Sequence, residues 1–461
     1  MKLKHIITLL VVAISLNGYA QNGGITKEML QQIKKEYKGT PSDKAIQNAI
    51  THNDIKKLAK NFSDEANRDF HFSNKVISKG ITNQDRSGRC WLFSGLNVLR
   101  AKTIANFDLG KFQFSQNYTF FWDQLEKSNL FLQGIIDTKN LKITNRKVDW
   151  LFSNPLSDGG QFTGISDNLV KYGCVPSEVM PETYSSNNTS NMSRLIGLKL
   201  KEYGLELRTM TADNKKLENR KTEMLGSIYR FLVLNLGVPP TEFTWTRYNS
   251  KDEAISTKKY TPMSFFKEYV GTDLQHNYVM LMNDPSREYN KAYEIEYDRH
   301  LYDGNNWIYI NLTIEKIKEM AIKSIKDSTM MYFSCDVGKF LDRDYGVLDV
   351  NYYDYGSLMG TTFGMNKKQR ILTHASGSSH AMTLMAVDLD QNGNAKKWMV
   401  ENSWGMSGYK GHLIMTDEWF NEYMFRLVVE KKYVPTEILD ILKGEVTMLP
   451  PWDPMFLPEE N

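Results

Sequence analysis

Four residues of this chain could together perform acyl transfer: a cysteine, a histidine, an asparagine and a glutamine. Cys90 follows the polar loop Gln84 to Arg89, and the apolar pattern through residues 96–101 predicts an amphipathic helix with the cysteine in its first turn. A thiol in the first turn of a helix lies at the positive end of the helix dipole, beside unpaired backbone N–H groups, which favours the thiolate. Cys90 is therefore a candidate nucleophile.

A single cysteine is more often a small buried hydrophobe than a nucleophile. Here the preceding loop is polar, Gly88 comes two residues before Cys90, Trp91 follows it, and the amide of Gln84 lies six residues upstream. These neighbours together favour the catalytic interpretation over the structural one.

The histidine and the asparagine come much later in the chain, each at the end of a predicted strand. His380 begins one apolar strand, and Asn402 ends the next, within Asn-Ser-Trp-Gly. Residues 390–393 form a plausible hairpin turn between the two strands. If the strands pair antiparallel, both side chains lie at the end away from that turn, where they can meet.

These residue types suggest a mechanism. His380 takes the proton of Cys90, Asn402 fixes the orientation of the imidazole, and Trp404 shields that contact from water. Gln84 supplies an amide N–H to the oxyanion, together with the backbone N–H of Cys90. A lone histidine at a strand start is usually structural, so the argument depends on the four elements occurring in this order.

A second polar loop, residues 154–161, contains the pair Gly159 and Gly160. Glycines without a Cβ allow a ligand backbone to approach closely, although such a pair is more often simply a turn. The sequence predicts a helix from Gly164 to Tyr172 after this loop. The loop can bind a ligand at the site only if it lies next to Cys90.

The remaining elements must hold these loops. Residues 25–60 read as charged helices that wrap around the core, and residues 112–134 as a helix whose aromatic stripe packs into the core. Residues 184–300 are rich in Lys and Glu and lack a linker, which favours an insertion into a fold over a tethered domain. Within this region we predict helices and strand-like pieces at Leu195–Tyr203, Lys216–Leu234, Thr241–Tyr248 and Tyr278–Asn283.

Composition excludes some functions. The chain has 461 residues and 12% aromatic residues, typical of a well-packed globular protein, and its net charge is only +3. A nucleic-acid partner is therefore not expected.

Residues 1–20 combine Lys2 and Lys4, an apolar run and small residues before Gln21, which predicts a secretory signal peptide. The apolar run is shorter than the roughly 20 residues of a membrane span, so we expect an exported protein, periplasmic or secreted, with no membrane segment after cleavage.

The other two cysteines predict no disulfide framework. Cys174 and Cys335 could pair in an exported protein, but Cys335 lies in an apolar run that looks like a buried strand. We therefore expect both to be reduced core residues. The Cys and His spacings suit no structural zinc site, and the chemistry implies no metal and no organic cofactor.

With Gln84, Cys90-Trp91, His380 and Asn402-Ser403-Trp404-Gly405 in place, the chain resembles the papain-type cysteine peptidases. It departs from their usual signature in two ways. Ser87 replaces the disulfide cysteine, and the gap from Cys90 to His380 is 290 residues, about twice the roughly 130–150 of small papains. Both departures point to the bleomycin hydrolase or aminopeptidase C group.

That resemblance covers nearly the whole mature chain, residues 21–461. The matching segments are Thr82–Gln84, Ser87–Phe93, Phe114–Gln116, Phe120–Asp123, Asn154–Pro155, Asp158–Gln161, Phe243–Trp245, Cys335–Lys339, Thr416–Phe420 and Trp452–Met455.

The resemblance implies an α+β fold. A papain-like two-lobed core, with a helical lobe carrying Cys90 and a β-barrel lobe carrying His380, would bear large, mainly helical insertions. The insertions would build a homohexameric ring around an inner cavity. Gly159 and Gly160 would bind the backbone of a peptide substrate.

The resemblance also implies that the tail, residues 452–461, lies in the active-site cleft, where the carboxylate of Asn461 holds the α-amine of the substrate. This makes the expected activity that of an aminopeptidase. After Met455 the chain ends in Phe456-Leu457-Pro458-Glu459-Glu460-Asn461, a longer and more acidic ending than the group's usual one, so the carboxylate would reach a different depth and the register could shift. A papain-like endopeptidase or transpeptidase is the alternative, and an inactive peptide-binding scaffold is a third hypothesis.

Overall fold

The computed structural model describes residues 23–65, 69–271, 273–453 and 455. The predicted signal peptide and Asn461 lie outside these residues. The chain divides into two units, one made of Met1–Lys60 with Tyr355–Gly360 and the other of Asn61–Asp354 with Thr361–Asn461.

The helices of the described residues, in chain order, are α1 (Lys27–Glu36), α2 (Pro41–Ile50), α3 (Ile55–Leu58), α4 (Phe62–Glu65), α5 (Cys90–Phe107), α6 (Gln116–Asp137), α7 (Arg146–Ser153), α8 (Phe162–Tyr172), α9 (Tyr184–Asn187), α10 (Ser190–Thr209), α11 (Asn214–Leu236), α12 (Pro262–Tyr269), α13 (Leu274–Asn277), α14 (Ile314–Lys326), α15 (Tyr355–Met359), α16 (Lys367–Leu372), α17 (Asp417–Tyr423) and α18 (Thr436–Leu439). The strands are β1 (Asn74–Lys75), β2 (Phe243–Tyr248), β3 (Ala254–Tyr260), β4 (Tyr278–Met282), β5 (Lys291–Ile295), β6 (Ile308–Asn311), β7 (Met331–Cys335), β8 (Leu341–Asp342), β9 (Val347–Leu348), β10 (His380–Leu389), β11 (Ala395–Glu401), β12 (His412–Thr416), β13 (Met424–Glu430) and β14 (Val446–Leu449).

The smaller unit consists of α1, α2, α3 and α15. Thr40 begins α2 with a reciprocal capping box, in which its hydroxyl accepts from the Asp43 backbone N–H and the Asp43 carboxylate accepts from the Thr40 N–H. The prediction that residues 25–60 are helical is confirmed. That they wrap around the core stays a prediction.

The larger unit is organised on one mixed sheet. Among the described residues its order is β14-β5-β6-β4-β13-β7-β10-β11-β12-β9-β8, with β1 also paired to β10. β10 is antiparallel to β7 and β11, with His380 opposite Cys335 and Thr383 opposite Glu401. Nearly all of β10 is buried, as its apolar sequence requires, and it packs against α5 and α14. The α+β class, with helices carrying Cys90 and a sheet carrying His380, is confirmed.

The helix α5 begins at Cys90, so the cysteine lies in its first turn as predicted, but the expectation that the helix is amphipathic is wrong. Every residue from Cys90 to Arg100 is buried, because α6, α8, β7 and β10 all pack against this helix. A helix enclosed on all sides must satisfy its polar residues internally. Arg100 does so through an ion pair with Glu401 at 2.6 Å, and Asn97 donates from Nδ2 to Thr82 Oγ1 at 2.9 Å.

The other predicted elements are found with small shifts. α6 starts at Gln116 rather than Phe112 because the Ser115 hydroxyl caps it, accepting from the backbone N–H of Tyr118 at 3.0 Å. The side chains of Phe120 and Phe121 are fully buried, which confirms the core role of the aromatic stripe. Residues 184–300 contain α10, α11, β2 and β4 where the sequence predicted them. β2 and β3 form a separate two-stranded sheet, whereas β4 and β5 belong to the main sheet.

Cys174 and Cys335 are buried thiols that form no disulfide, as predicted. Among the described residues, none of the helices combines the length and apolarity that crossing a bilayer requires.

Candidate active site

Cys90 is the first residue of α5, and Arg89 is the residue that precedes the helix. The Arg89 side chain makes no capping hydrogen bond. It is buried instead against the rings of Phe93 and Phe120, and its Nη2 pairs with Glu182 Oε2 at 2.9 Å. The positive end of the helix dipole is thus directed at Cys90 without a capping side chain, which suits a thiolate.

The loop before Cys90 is fixed by its own hydrogen bonds. Gln84 Nε2 donates to Ser87 O, and Ser87 Oγ donates to Gln84 O, both at 2.6 Å. The Gly88 N–H donates to Asp158 Oδ2 at 2.8 Å, and a Cβ at Gly88 would lie 2.7 Å from Asp158 Oδ1. A larger residue at position 88 would have to displace the Asp158 carboxylate, so the glycine allows the loop to lie close to the residues before α8.

His380 and Asn402 meet at the ends of neighbouring strands, as the hairpin predicted. His380 Nε2 lies 2.9 Å from Asn402 Oδ1, and both side chains are about 1% exposed. Asn402 Oδ1 also accepts from the backbone N–H of Ser403 at 2.8 Å, which identifies it as the oxygen of the amide. His380 Nε2 must therefore be the protonated nitrogen of a neutral ring, in which Nδ1 is then the nitrogen that can accept a proton.

The strand of His380 and the helix of Cys90 are joined one turn beyond the site. Thr383 Oγ1 donates to Ser94 O at 3.1 Å, and these residues follow His380 and Cys90 by three and four positions. The histidine and the cysteine therefore begin their two elements at the same end of the contact. This placement is compatible with a thiolate–imidazolium pair, which stays a prediction.

A residue that the sequence analysis did not assign, Ser403, connects the two halves of the site. Its Oγ donates to Gln84 Oε1 at 2.6 Å, and its carbonyl accepts from the Gln84 N–H at 2.8 Å. The amide of Gln84 keeps a second Nε2 hydrogen besides the one given to Ser87, so its role as an oxyanion donor stays a prediction. Ser403 could have been found as the second residue of Asn-Ser-Trp-Gly.

Trp404 covers the imidazole. Its ring centroid lies 4.8 Å from that of His380, and the guanidinium carbon of Arg343 lies 5.0 Å from the Trp404 ring centroid. The indole is half-buried, so it separates the His380–Asn402 contact from solvent while keeping some exposed surface.

The Gly159–Gly160 loop is attached to the residue that follows Cys90. Trp91 Nε1 donates to Asp158 O at 2.8 Å, and a Cβ at Gly160 would lie 2.8 Å from Trp91 Cε2. The loop is thereby held at the Cys90 end of α5. The binding of substrate backbone by these glycines stays a prediction.

Behind that loop lies a buried group that sequence reasoning missed, formed by Asp123, Lys127 and His300. His300 Nδ1 hydrogen-bonds Asp123 Oδ1, and Lys127 Nζ pairs with Asp123 Oδ2 at 2.8 Å. His300 lies at the end of the Lys- and Glu-rich region, residues 184–300, and its partner is 177 residues away in the chain. No local sequence signal could have joined them.

The C-terminal segment reaches the start of β10. The Ser378 N–H donates to Met455 O at 3.0 Å, two residues before His380, and Met455 is fully buried. Asp453 forms an ion pair with Arg287 that holds the same segment. The predicted position of Asn461 in the cleft lies outside the described residues.

Residues 24–456 match the family model described as the Peptidase C1-like family. The chain belongs to this family. It is 36% identical over 437 residues to aminopeptidase C of Streptococcus thermophilus, covering 94% of this chain and 98% of that protein. It is also 36% identical over 449 residues to human bleomycin hydrolase, with 94% and 98% covered. The crystal structure of PepW from Lactobacillus rhamnosis HN001 matches with a TM-score of 0.90 and 38% identity, over 94% of this chain and 99% of that one.

These matches confirm the resemblance drawn from the sequence. The Peptidase C1-like chain is a papain-like cysteine peptidase, and its relatives include proteins named aminopeptidase C and aminopeptidase W.

Proposed function

We propose that this peptidase removes residues from the amino termini of peptides, with Cys90 as nucleophile, His380 as general base and acid, and Asn402 as the residue that orients the histidine. The observation that carries the assignment is the 2.9 Å contact between His380 Nε2 and Asn402 Oδ1 at the end of the strand pair beside α5. It fixes the tautomer that leaves Nδ1 as a base.

In the acylation step, the Cys90 sulfur attacks the carbonyl carbon of the scissile peptide bond after its proton has passed to His380. The oxyanion receives hydrogen bonds from the Cys90 backbone N–H and the Gln84 amide. The C–N bond then breaks, His380 gives its proton to the leaving amine, and the acyl group remains as a thioester on Cys90.

In the deacylation step, a water molecule attacks the thioester carbonyl while His380 takes a proton from it. The C–S bond breaks, the proton returns to the sulfur, and the amino acid is released as its carboxylic acid. Trp404 keeps bulk water away from the His380–Asn402 contact through both steps.

The preference for amino termini depends on the C-terminal segment. Met455 O accepts from Ser378 N–H at 3.0 Å, so the tail passes the start of the His380 strand. From there we propose that it continues into the cleft and offers carboxylates, that of Asn461 included, to the ammonium group of the substrate. Opposite charges at close range in a partly desolvated cleft favour a substrate with a free α-amine.

Deleting residues 458–461 tests the tail. The shortened chain is expected to lose its preference for free amino termini and to cleave amino-acetylated peptides internally. If the balance between terminal and internal cleavage is unchanged, the tail does not select the substrate.

A peptide library tests the activity itself. The wild type is expected to shorten peptides stepwise from the amino terminus, while Cys90→Ala leaves them intact. Internal fragments from the full-length wild type would favour the endopeptidase alternative, and a wild type as inert as Cys90→Ala would favour the peptide-binding scaffold.

We further propose that residues 1–20 direct export to the periplasm or the medium and that the mature chain assembles as a hexamer. The basic start followed by an apolar run supports export. The hexamer is what the resemblance to the bleomycin hydrolase or aminopeptidase C group implies. Cell fractionation and the mass of the purified protein in solution test the two proposals.

A further inference from the structure

The loop that carries Gly159 and Gly160 is supported from behind by an imidazole. A Cβ at Gly160 would lie 2.1 Å from His300 Cε1, and a Cβ at Gly164 would lie 2.2 Å from His300 Nδ1. The ring therefore fits directly against backbone at two positions where any other residue would collide with it. It also packs edge-on against Trp91, with ring centroids 4.7 Å apart.

Hydrogen bonds tie the same ring to the loop. The Gln161 backbone N–H donates to His300 Nε2 at 3.2 Å, while His300 Nδ1 bonds Asp123 Oδ1. Lys127, paired with Asp123, donates from Nζ to the carbonyl oxygens of Gly159 at 2.6 Å and Ser157 at 3.0 Å. The Asp123–Lys127–His300 group thus contacts the loop backbone before, within and after the glycine pair.

We propose that His300 is a positioning residue for this loop, holding the backbone of Gly159 and Gly160 in the conformation that receives the peptide. The inference rests on the proposed function, in which those glycines bind substrate backbone. The contacts of His300 described above are with Gln161, Asp123 and Trp91, so we give it no part in the chemical step. Its effect is on the affinity for peptides rather than on the chemical step.

The group works only with a neutral imidazole. Nδ1–H donates to Asp123, and Nε2 must be unprotonated to accept from the Gln161 N–H. Burial and the nearby Lys127 lower the pKa of His300, while Asp123 and Asp167 act in the opposite direction. Protonation at acidic pH places two N–H donors face to face, which releases the loop and weakens peptide binding.

Two substitutions at His300 test its effect on peptide affinity and on the pH dependence of KM. His300→Leu removes the acceptor for Gln161, and we expect KM for a short peptide to rise about tenfold with kcat within about twofold, the scale of one lost hydrogen bond. His300→Gln keeps an amide oxygen that can accept but cannot gain a proton, so it should retain more affinity and lose the rise of KM at acidic pH. The control is His276→Gln, an exposed histidine that also pairs with an aspartate and should change neither parameter.

Alkylation of Cys90 provides a second measurement. Iodoacetamide needs only the thiolate, whereas a peptidyl chloromethyl ketone also needs the loop. In His300→Leu the first rate should stay unchanged and the second should fall about tenfold. If His300→Leu does not fold, the pH dependence of KM in His300→Gln decides the matter.

The outcomes distinguish failure of the proposed function from failure of the role proposed for His300. A wild type that does not hydrolyse peptides refutes the proposed function. An active wild type with unchanged KM and unchanged peptidyl labelling in a folded His300→Leu, or with the acidic rise of KM retained in His300→Gln, overturns the role of His300 alone.

Discussion

The hydroxyl of Ser403 offers a sharp test of how the two halves of the site are joined. It donates to Gln84 Oε1 at 2.6 Å, and both side chains are nearly inaccessible to solvent, at 1% and 3% exposure. Ser403→Ala deletes one oxygen and leaves the backbone contact between the same residues in place. The amide oxygen of Gln84 is then left buried without this donor.

The expected size of the effect of Ser403→Ala follows from these contacts. Leaving a buried acceptor unsatisfied costs about 1–3 kcal/mol of folding free energy. Removing an oxyanion donor outright costs on the order of 100- to 1000-fold in kcat, which sets the limit expected for Gln84→Ala. Ser403→Ala only loosens the donor, because Gln84 Nε2 still donates to Ser87 O at 2.6 Å. We therefore expect a fall of about tenfold in kcat, or about 1.4 kcal/mol of transition-state stabilisation.

The assay is a double-mutant cycle on kcat with one fluorogenic aminoacyl substrate, using Ser403→Ala, Gln84→Ala and the double variant. If Ser403 acts through Gln84, its substitution should have almost no further effect once Gln84 is alanine. Ser407→Ala, which changes an exposed serine four residues further along the chain, is the matched control and should behave as wild type. Additive losses in the double variant would refute the connection.

Three further outcomes are expected. Arg100→Met leaves Glu401 as an unpaired buried charge, so urea unfolding should show a loss of about 3–5 kcal/mol. Burial raises the pKa of Asp298 to about 6 from an ordinary 3.8, so its stabilising contribution is complete below pH 3.8 and lost as the pH rises through 6. Asp298→Asn should remove a change on the order of 3 kcal/mol between pH 3.5 and 7, measured by urea unfolding. Burial also raises the pKa of Cys174 and Cys335, so mass spectrometry after iodoacetamide at neutral pH should find neither modified.

The residues that we propose as catalytic could be located in the fold from the sequence because each carries a local signal. Cys90 lies at a loop-to-helix boundary, and the apolar run after His380 and the turn at residues 390–393 place His380 and Asn402 at one end of a hairpin. The hairpin turn is present, with the Asp390 N–H donating to Asn394 O at 2.8 Å. The spacing of apolar residues and the residue types of a turn are local properties, so they can be read directly from the sequence.

What could not be predicted depends on distant contacts. The partners of His300 are an aspartate on α6 and a backbone N–H before α8. Both lie far from His300 in the chain, and no local sequence pattern connects them to it. The prediction that α5 is amphipathic was wrong for the same reason. Its apolar spacing resembled an amphipathic surface helix, whereas its burial on every side depends on four elements far apart in the chain. Tertiary packing decides such cases over local pattern.

The hydrogen bond between Thr383 and Ser94 has a consequence for the timing of synthesis. It joins residues 289 positions apart, and Asn402 lies roughly 310 residues after Cys90. At ribosomal rates of about 5–20 residues per second, the cysteine emerges roughly 15–60 s before its histidine and asparagine exist. During that interval the growing chain carries the proposed nucleophile without its proposed base. Chain order alone therefore delays assembly of the proposed Cys90–His380 pair until His380 has been synthesised.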